Sequence, residues 1–129
     1  MFRLQKTHIV FALLAFSIDS CKHEPEKSPC DNGVVYFKND VLPLVVSRCG
    51  MSNCHGEASS EFPLTNYSEI MTRVEPGELE DSDLWEVINA PEGDSQIMPP
   101  VGSVPLNSDE ISTIKTWIVQ GAKENECNE

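Results

Sequence analysis

The chain has 129 residues, with 21 acidic and 9 basic side chains and a formal net charge of −12. That length holds one domain with a modest core and leaves no room for a second. So acidic a balance argues against nucleic acid and against an anionic membrane surface as partners, while it admits a basic protein partner.

Residues 1–20 read as a lipoprotein signal peptide. Arg3 and Lys6 supply the positive start, and the apolar run from Ile9 to Phe16 is eight residues long, too short to span a bilayer. The run stops at Ser17-Ile18-Asp19-Ser20-Cys21, which resembles the processing site of bacterial lipoproteins. Ile18 takes the apolar position, Ser20 is the small residue before the cut, and Cys21 is the residue that would carry lipid. The alternative is a plain secreted chain with a free thiol at Cys21, a reactive group in an oxidising compartment. With Cys21 acylated, membrane contact runs through the lipid alone. Residues 21–29 are charged, proline-containing and aperiodic, so they read as a flexible spacer, and residues 30–129 as the folded domain.

In the domain, Asp40 is placed to cap a first helix running from Val41 to about Arg48, with Pro43 tolerated in its first turn and Leu42, Val45 and Val46 as its apolar stripe. Tyr36 and Phe37 precede it. Directly after it comes Cys49-Gly50-Met51-Ser52-Asn53-Cys54-His55-Gly56. Two thiols followed at once by an imidazole suit covalent haem attachment, since the thiols can add to the two vinyl groups while the histidine reaches the iron. The commonest form of this signal has two residues between the cysteines and this one has four, so the extra residues must bulge outward. The alternative is a Cys49–Cys54 disulfide with His55 an ordinary surface residue.

Glu57 to Pro63 is irregular. Asn66 to Thr72 reads as a short helix turning Tyr67, Ile70 and Met71 inward, and Pro76-Gly77 as a turn. A further helix is expected from about Ser82 to Asn89, capped by Asp81 or Ser82, with Leu84, Trp85, Val87 and Ile88 grouped on one side. Trp85 reads as core, with a hydrogen bond to a haem propionate as the lesser option. In Ile97-Met98-Pro99-Pro100 a thioether stands before two prolines, outside any periodic apolar face. Such a loop can present Met98 to the second face of a haem. The mature chain's imidazoles are His55 and His23, and His23 could reach the iron only by folding back from the spacer. Asn107 with Glu110 makes a capping box for a last helix whose apolar face is Ile111, Ile114 and Ile118, with Trp117 beside it and Gly121 as its stop.

Five cysteines remain to be shared out. With Cys21 lipidated and Cys49 and Cys54 on haem, Cys30 and Cys127 are left to form a disulfide, and the same pair is left if Cys49 and Cys54 bond to each other.

The ordered set Val35 to Pro43, Cys49 to Gly56, Leu64 with Tyr67, Met98-Pro99-Pro100, and Ile114 to Ala122 resembles the small monohaem cytochrome c domains of bacterial lipoproteins, a branch that allows extra residues inside the attachment motif. The resemblance implies an all-α, small cytochrome c-like fold around one covalently bound haem c. It implies thioether bonds at Cys49 and Cys54, His55 as proximal and Met98 as distal ligand of the iron, and a last helix that crosses the first. The expected function is one-electron transfer to a redox partner protein, with a basic partner admitted by the charge, from a lipid-anchored position outside the cytoplasm. The rivals are a non-haem structural or binding lipoprotein and a haem subunit of a larger oxidoreductase.

Overall fold

The computed structural model describes residues 30–128. The expected signal peptide, Cys21, the spacer and His23 lie outside the described residues. A π-helical turn over Phe37–Val41 runs straight into α1, Leu42–Arg48. After the cysteine loop come α2, Tyr67–Ile70, with a 3-10 turn over Met71–Arg73, then α3, Asp83–Ile88, and α4, Ser108–Val119. Among the described residues there is no strand, only isolated bridges between Glu75 and Glu78 and between Val101 and Ser103. No helix among them is long and apolar enough to cross a membrane.

The first helical segment begins four residues earlier than the position of Asp40 suggests, because Asp40 acts from inside the first turn. Its carboxylate accepts the Tyr36 amide at 2.7 Å. The amides of Phe37 and Lys38, orphaned at a helix start, are satisfied from the far end of the chain by the Asn125 side chain at 2.7 Å and its carbonyl at 3.1 Å. The earlier start also changes the buried stripe. Phe37, Val41 and Val45, spaced by four, are fully buried, while Val46 turns outward.

α4 follows its sequence signals closely. Asn107 and Glu110 form the complete capping box, and the C-terminus closes with Ala122 N–H to Trp117 O and Gly121 N–H to Ile118 O, both 2.9 Å. That pair of bonds is a Schellman motif, and it needs the left-handed backbone of Gly121, φ 92°. Trp117 is not beside the apolar face but at its centre, 1% exposed, with its indole donating to Lys123 O at 3.0 Å. Phe37 meets it at 5.4 Å between ring centroids and meets Tyr67 edge-on at 5.0 Å. α4 thus packs on the first helical turn.

The ends are fastened beside this core. Cys30 and Cys127 form a disulfide with Cα atoms 5.5 Å apart. Asn39 and Cys127 exchange two hydrogen bonds of 2.9 and 3.1 Å, and the Gln120 amide bridges Val35 N–H and Gly33 O.

Of the two middle helices, α3 is shorter than expected by one residue at each end, and α2 is α-helical only over Tyr67–Ile70, its expected remainder falling in the 3-10 turn Met71–Arg73. Asn66 caps α2 by accepting Glu69 N–H at 3.1 Å. Ser82 occupies the cap position of α3 without capping it. Its buried hydroxyl instead receives the Glu75 amide at 3.0 Å and donates to Glu78 O at 2.8 Å, tying down the turn before the helix. Leu84, Trp85 and Ile88 face the core.

Candidate functional site

α1 delivers Cys49 to the floor of an opening between the cysteine loop, α3 and the Met98 loop. Burial, reinforced by the neighbouring Cys54, pushes the Cys49 thiol up to about 11, so in the free protein it stays protonated near neutral pH. Cys49 and Cys54 are not bonded to one another.

The four residues between them are absorbed by backbone hydrogen bonds. His55 N–H donates to Cys49 O, and Cys54 and Gly56 N–H both donate to Met51 O, each at 2.9 Å. The Ser59 hydroxyl donates to Cys54 O. Met51, Ser52 and Asn53 form the exposed crest of the loop, so the long spacing does bulge outward while the histidine returns beside the first cysteine. Gly56 is needed for close approach rather than for a left-handed turn. A Cβ there would stand 2.8 Å from Met51 O and 2.9 Å from the Met51 carbonyl carbon, closer than real side chains come.

His55 is oriented by Phe62. Its carbonyl oxygen accepts from His55 Nδ1 at 2.9 Å. A carbonyl can only accept, so the proton sits on Nδ1 and the Nε2 lone pair is left available to a metal. The Phe62 ring lies on the imidazole with centroids 4.4 Å apart and planes tilted by 34°. Arg73 lies over the Phe62 ring, Cζ to centroid 3.9 Å. Leu64 N–H to His55 O, 2.8 Å, closes the loop that carries Phe62 back.

Two cavities of about 480 and 630 Å³ meet at this point and share Cys49, His55, Glu61 and Met98 as lining residues. Each falls in the range of roughly 300–1,000 Å³ typical of small-molecule and cofactor sites. The first runs under α3, past Leu84, Val87 and Ile88. The second opens toward Cys54, Met51, Pro99 and Val104. Met98 is half-buried and its loop is pinned by Met98 N–H to Val87 O at 2.9 Å. Met51 sits on the exposed crest, and Met71 packs against the core.

The four residues singled out for haem, Cys49, Cys54, His55 and Met98, therefore line one opening. The donor set suits the group: two thiols on one wall, an imidazole with Nε2 free, and a soft thioether. Among the described residues no trio of His, Cys, Asp and Glu is arranged to hold a bare metal ion. Trp85 lines neither cavity and is core. Cys30 and Cys127 belong to the fastening of the chain ends. Phe62, Arg73 and Glu61 carry no motif in the sequence. The one available hint for Phe62 is an aromatic residue before a proline in an otherwise polar, irregular stretch.

A small helical domain that gathers a Cys…Cys-His segment and a separate methionine loop around one opening has the features of a cytochrome c-like domain. Residues 52–102 match the family model described as Planctomycete cytochrome C. The match takes in Cys54, His55, Met98 and the proline pair, stops short of Cys49 and α4, and covers under half of the chain. It supports a cytochrome c-like domain and, at that level, a haem-based electron carrier rather than an enzyme. No curated protein and no solved structure matches the chain.

Proposed function

We propose that this chain is a one-electron carrier whose haem c is attached through Cys49 and Cys54, with His55 and Met98 as axial ligands. The observation that carries the proposal is that two cavities share Cys49, His55 and Met98 as walls, with His55 held in the tautomer that leaves Nε2 free. When bound, haem supplies the Fe(III)/Fe(II) couple. The chain's own work is to hold and orient. The Phe62 carbonyl fixes the imidazole, the bond to Val87 O pins the methionine loop, and Leu64, Leu84 and Ile88 keep water from the inner wall. With both ligands engaged no coordination position is open to a substrate, which suits a carrier and not a catalyst.

The proposal extends to place and partner. The disulfide at Cys30 and Cys127 fits an oxidising compartment, and Cys21 would hold the protein at a bacterial envelope membrane by lipid. An excess of acid side chains favours a redox partner with a basic docking surface.

Met98→Ala tests the ligand set. Covalent haem should remain, added small ligands should bind the opened position, and the reduction potential should fall, because loss of the soft thioether penalises the ferrous state more. An unchanged spectrum and potential would remove Met98 from the coordination sphere.

A further inference from the structure

Three groups meet along one wall of the first cavity: the Arg73 Cζ lies 3.9 Å from the centre of the Phe62 ring, and the His55 imidazole 4.4 Å from it. We infer that Phe62 and Arg73 are positioning residues for His55, the ring setting the orientation of the imidazole plane and the guanidinium raising the reduction potential through it. This rests on His55 being an iron ligand, as proposed above.

The geometry gives Phe62 two handles on one side chain. Its carbonyl takes the Nδ1 proton, which fixes the tautomer but leaves the imidazole free to swing about that bond. Its ring then lies on the imidazole face and removes that freedom. Phe62 itself stands in an irregular loop and is 39% exposed, so it needs a further partner to hold it, and Arg73, over its ring, supplies one. The guanidinium has one other partner, the largely exposed Asp83 carboxylate, to which it donates. Its Nε is shielded from water and donates to nothing among the described residues, and its reach to Asp83 is 3.4 Å. A flat cation on an aromatic face is the arrangement such a group adopts when the ring is its main partner. Arg48, the other arginine at the opening, is committed elsewhere, donating to Glu110 at 3.1 Å and to Pro105 O at 3.0 Å. Arg73 is therefore the cation directed toward the histidine. A fixed positive charge there opposes the additional positive charge of the ferric state, so it favours reduction.

The experiment uses the full chain matured with haem, in the parent and in Phe62→Tyr, Phe62→Leu, Arg73→Gln and Phe62→Leu/Arg73→Gln forms. Mass spectrometry checks haem content, potentiometry reads the midpoint, and electron paramagnetic resonance of the ferric form reads the imidazole orientation. Phe62→Leu should lower the midpoint and change the g-value spread, while Phe62→Tyr restores both. Arg73→Gln should lower the midpoint in the parent and have little further effect once the ring is gone, since residues that act through one another are not additive. Equal shifts from Arg73→Gln with and without the ring, or a midpoint and spectrum unmoved by Phe62→Leu, overturn the inference while leaving the haem proposal standing. Protein that carries no haem under maturing conditions overturns both.

Discussion

The end of the molecule that joins its termini and the end that carries the cysteine loop solve different problems. At the first, several polar groups are paired with partners from the opposite end of the chain. Asn125 completes the first helical turn, Asn39 and Cys127 exchange bonds, Gln120 spans Gly33 and Val35, and the disulfide lies alongside. Phe37, Val41, Ile114, Trp117 and Ile118 are buried directly beneath. At the second, backbone hydrogen bonds coil the loop tightly, yet the side chains diverge to line an opening, and Met51, Val101 and Val104 stay 50 to 81% exposed. One end is closely packed, and the other leaves an opening between its walls. Stability and function should therefore respond to substitutions at different ends.

The largest effect is expected at the packed end. Trp117→Ala removes the centre of the core, and a large aromatic-to-alanine change of this kind costs about 3–5 kcal/mol. Urea unfolding should show it as a collapse of the midpoint. A variant that unfolds like the parent would mean that the core is held mainly from the other side.

Removing the end-to-end link comes next. Cys30→Ser with Cys127→Ser opens a crosslink spanning 97 residues, and loss of a native disulfide costs about 2–5 kcal/mol in small domains. The midpoint should fall while the potential of the haem-loaded protein stays put, since the bond lies away from the opening. A shift in potential of the same order as that of Met98→Ala would show that the two ends are not separable.

The smallest effect concerns acid. Hydrogen bonds from the Thr65 amide and hydroxyl, both 2.8 Å, hold the Glu69 carboxyl below its ordinary value of 4.5. With the folded-state pKa depressed, the contribution is present above the unfolded value and is lost as pH falls through the folded one. Glu69→Gln should flatten that acid limb in unfolding measured against pH, and an identical limb would place the acid sensitivity elsewhere.

The same contrast explains what could be read from the sequence. Local signals were legible, because each is completed within one turn: the Asn107–Glu110 box, the Gly121 stop, the Asn66 cap, and the order Cys, Cys-His, Met that marks the opening. The true start of the first helical segment was not, because its amides are satisfied by Asn125, 88 residues away from Phe37. A side-chain amide that reaches across the fold leaves no periodic trace. Ser82 misled for a related reason, since a serine before a helix reads as a cap, and only the packed turn at Glu75 and Glu78 draws its hydroxyl away. Phe62 and Arg73 were invisible for want of any spacing rule linking them to His55.

The central claim, that Cys49 and Cys54 hold haem covalently, is tested most directly by the intact mass of the processed protein, made with a working haem-attachment system and extracted with acidified organic solvent. Such extraction removes haem that is merely bound. The account predicts one haem retained per chain, carried by the peptide containing Cys49 and Cys54, with any acyl mass at Cys21 read from the same spectrum. A haem-free mass with Cys49 and Cys54 bonded to each other would contradict it.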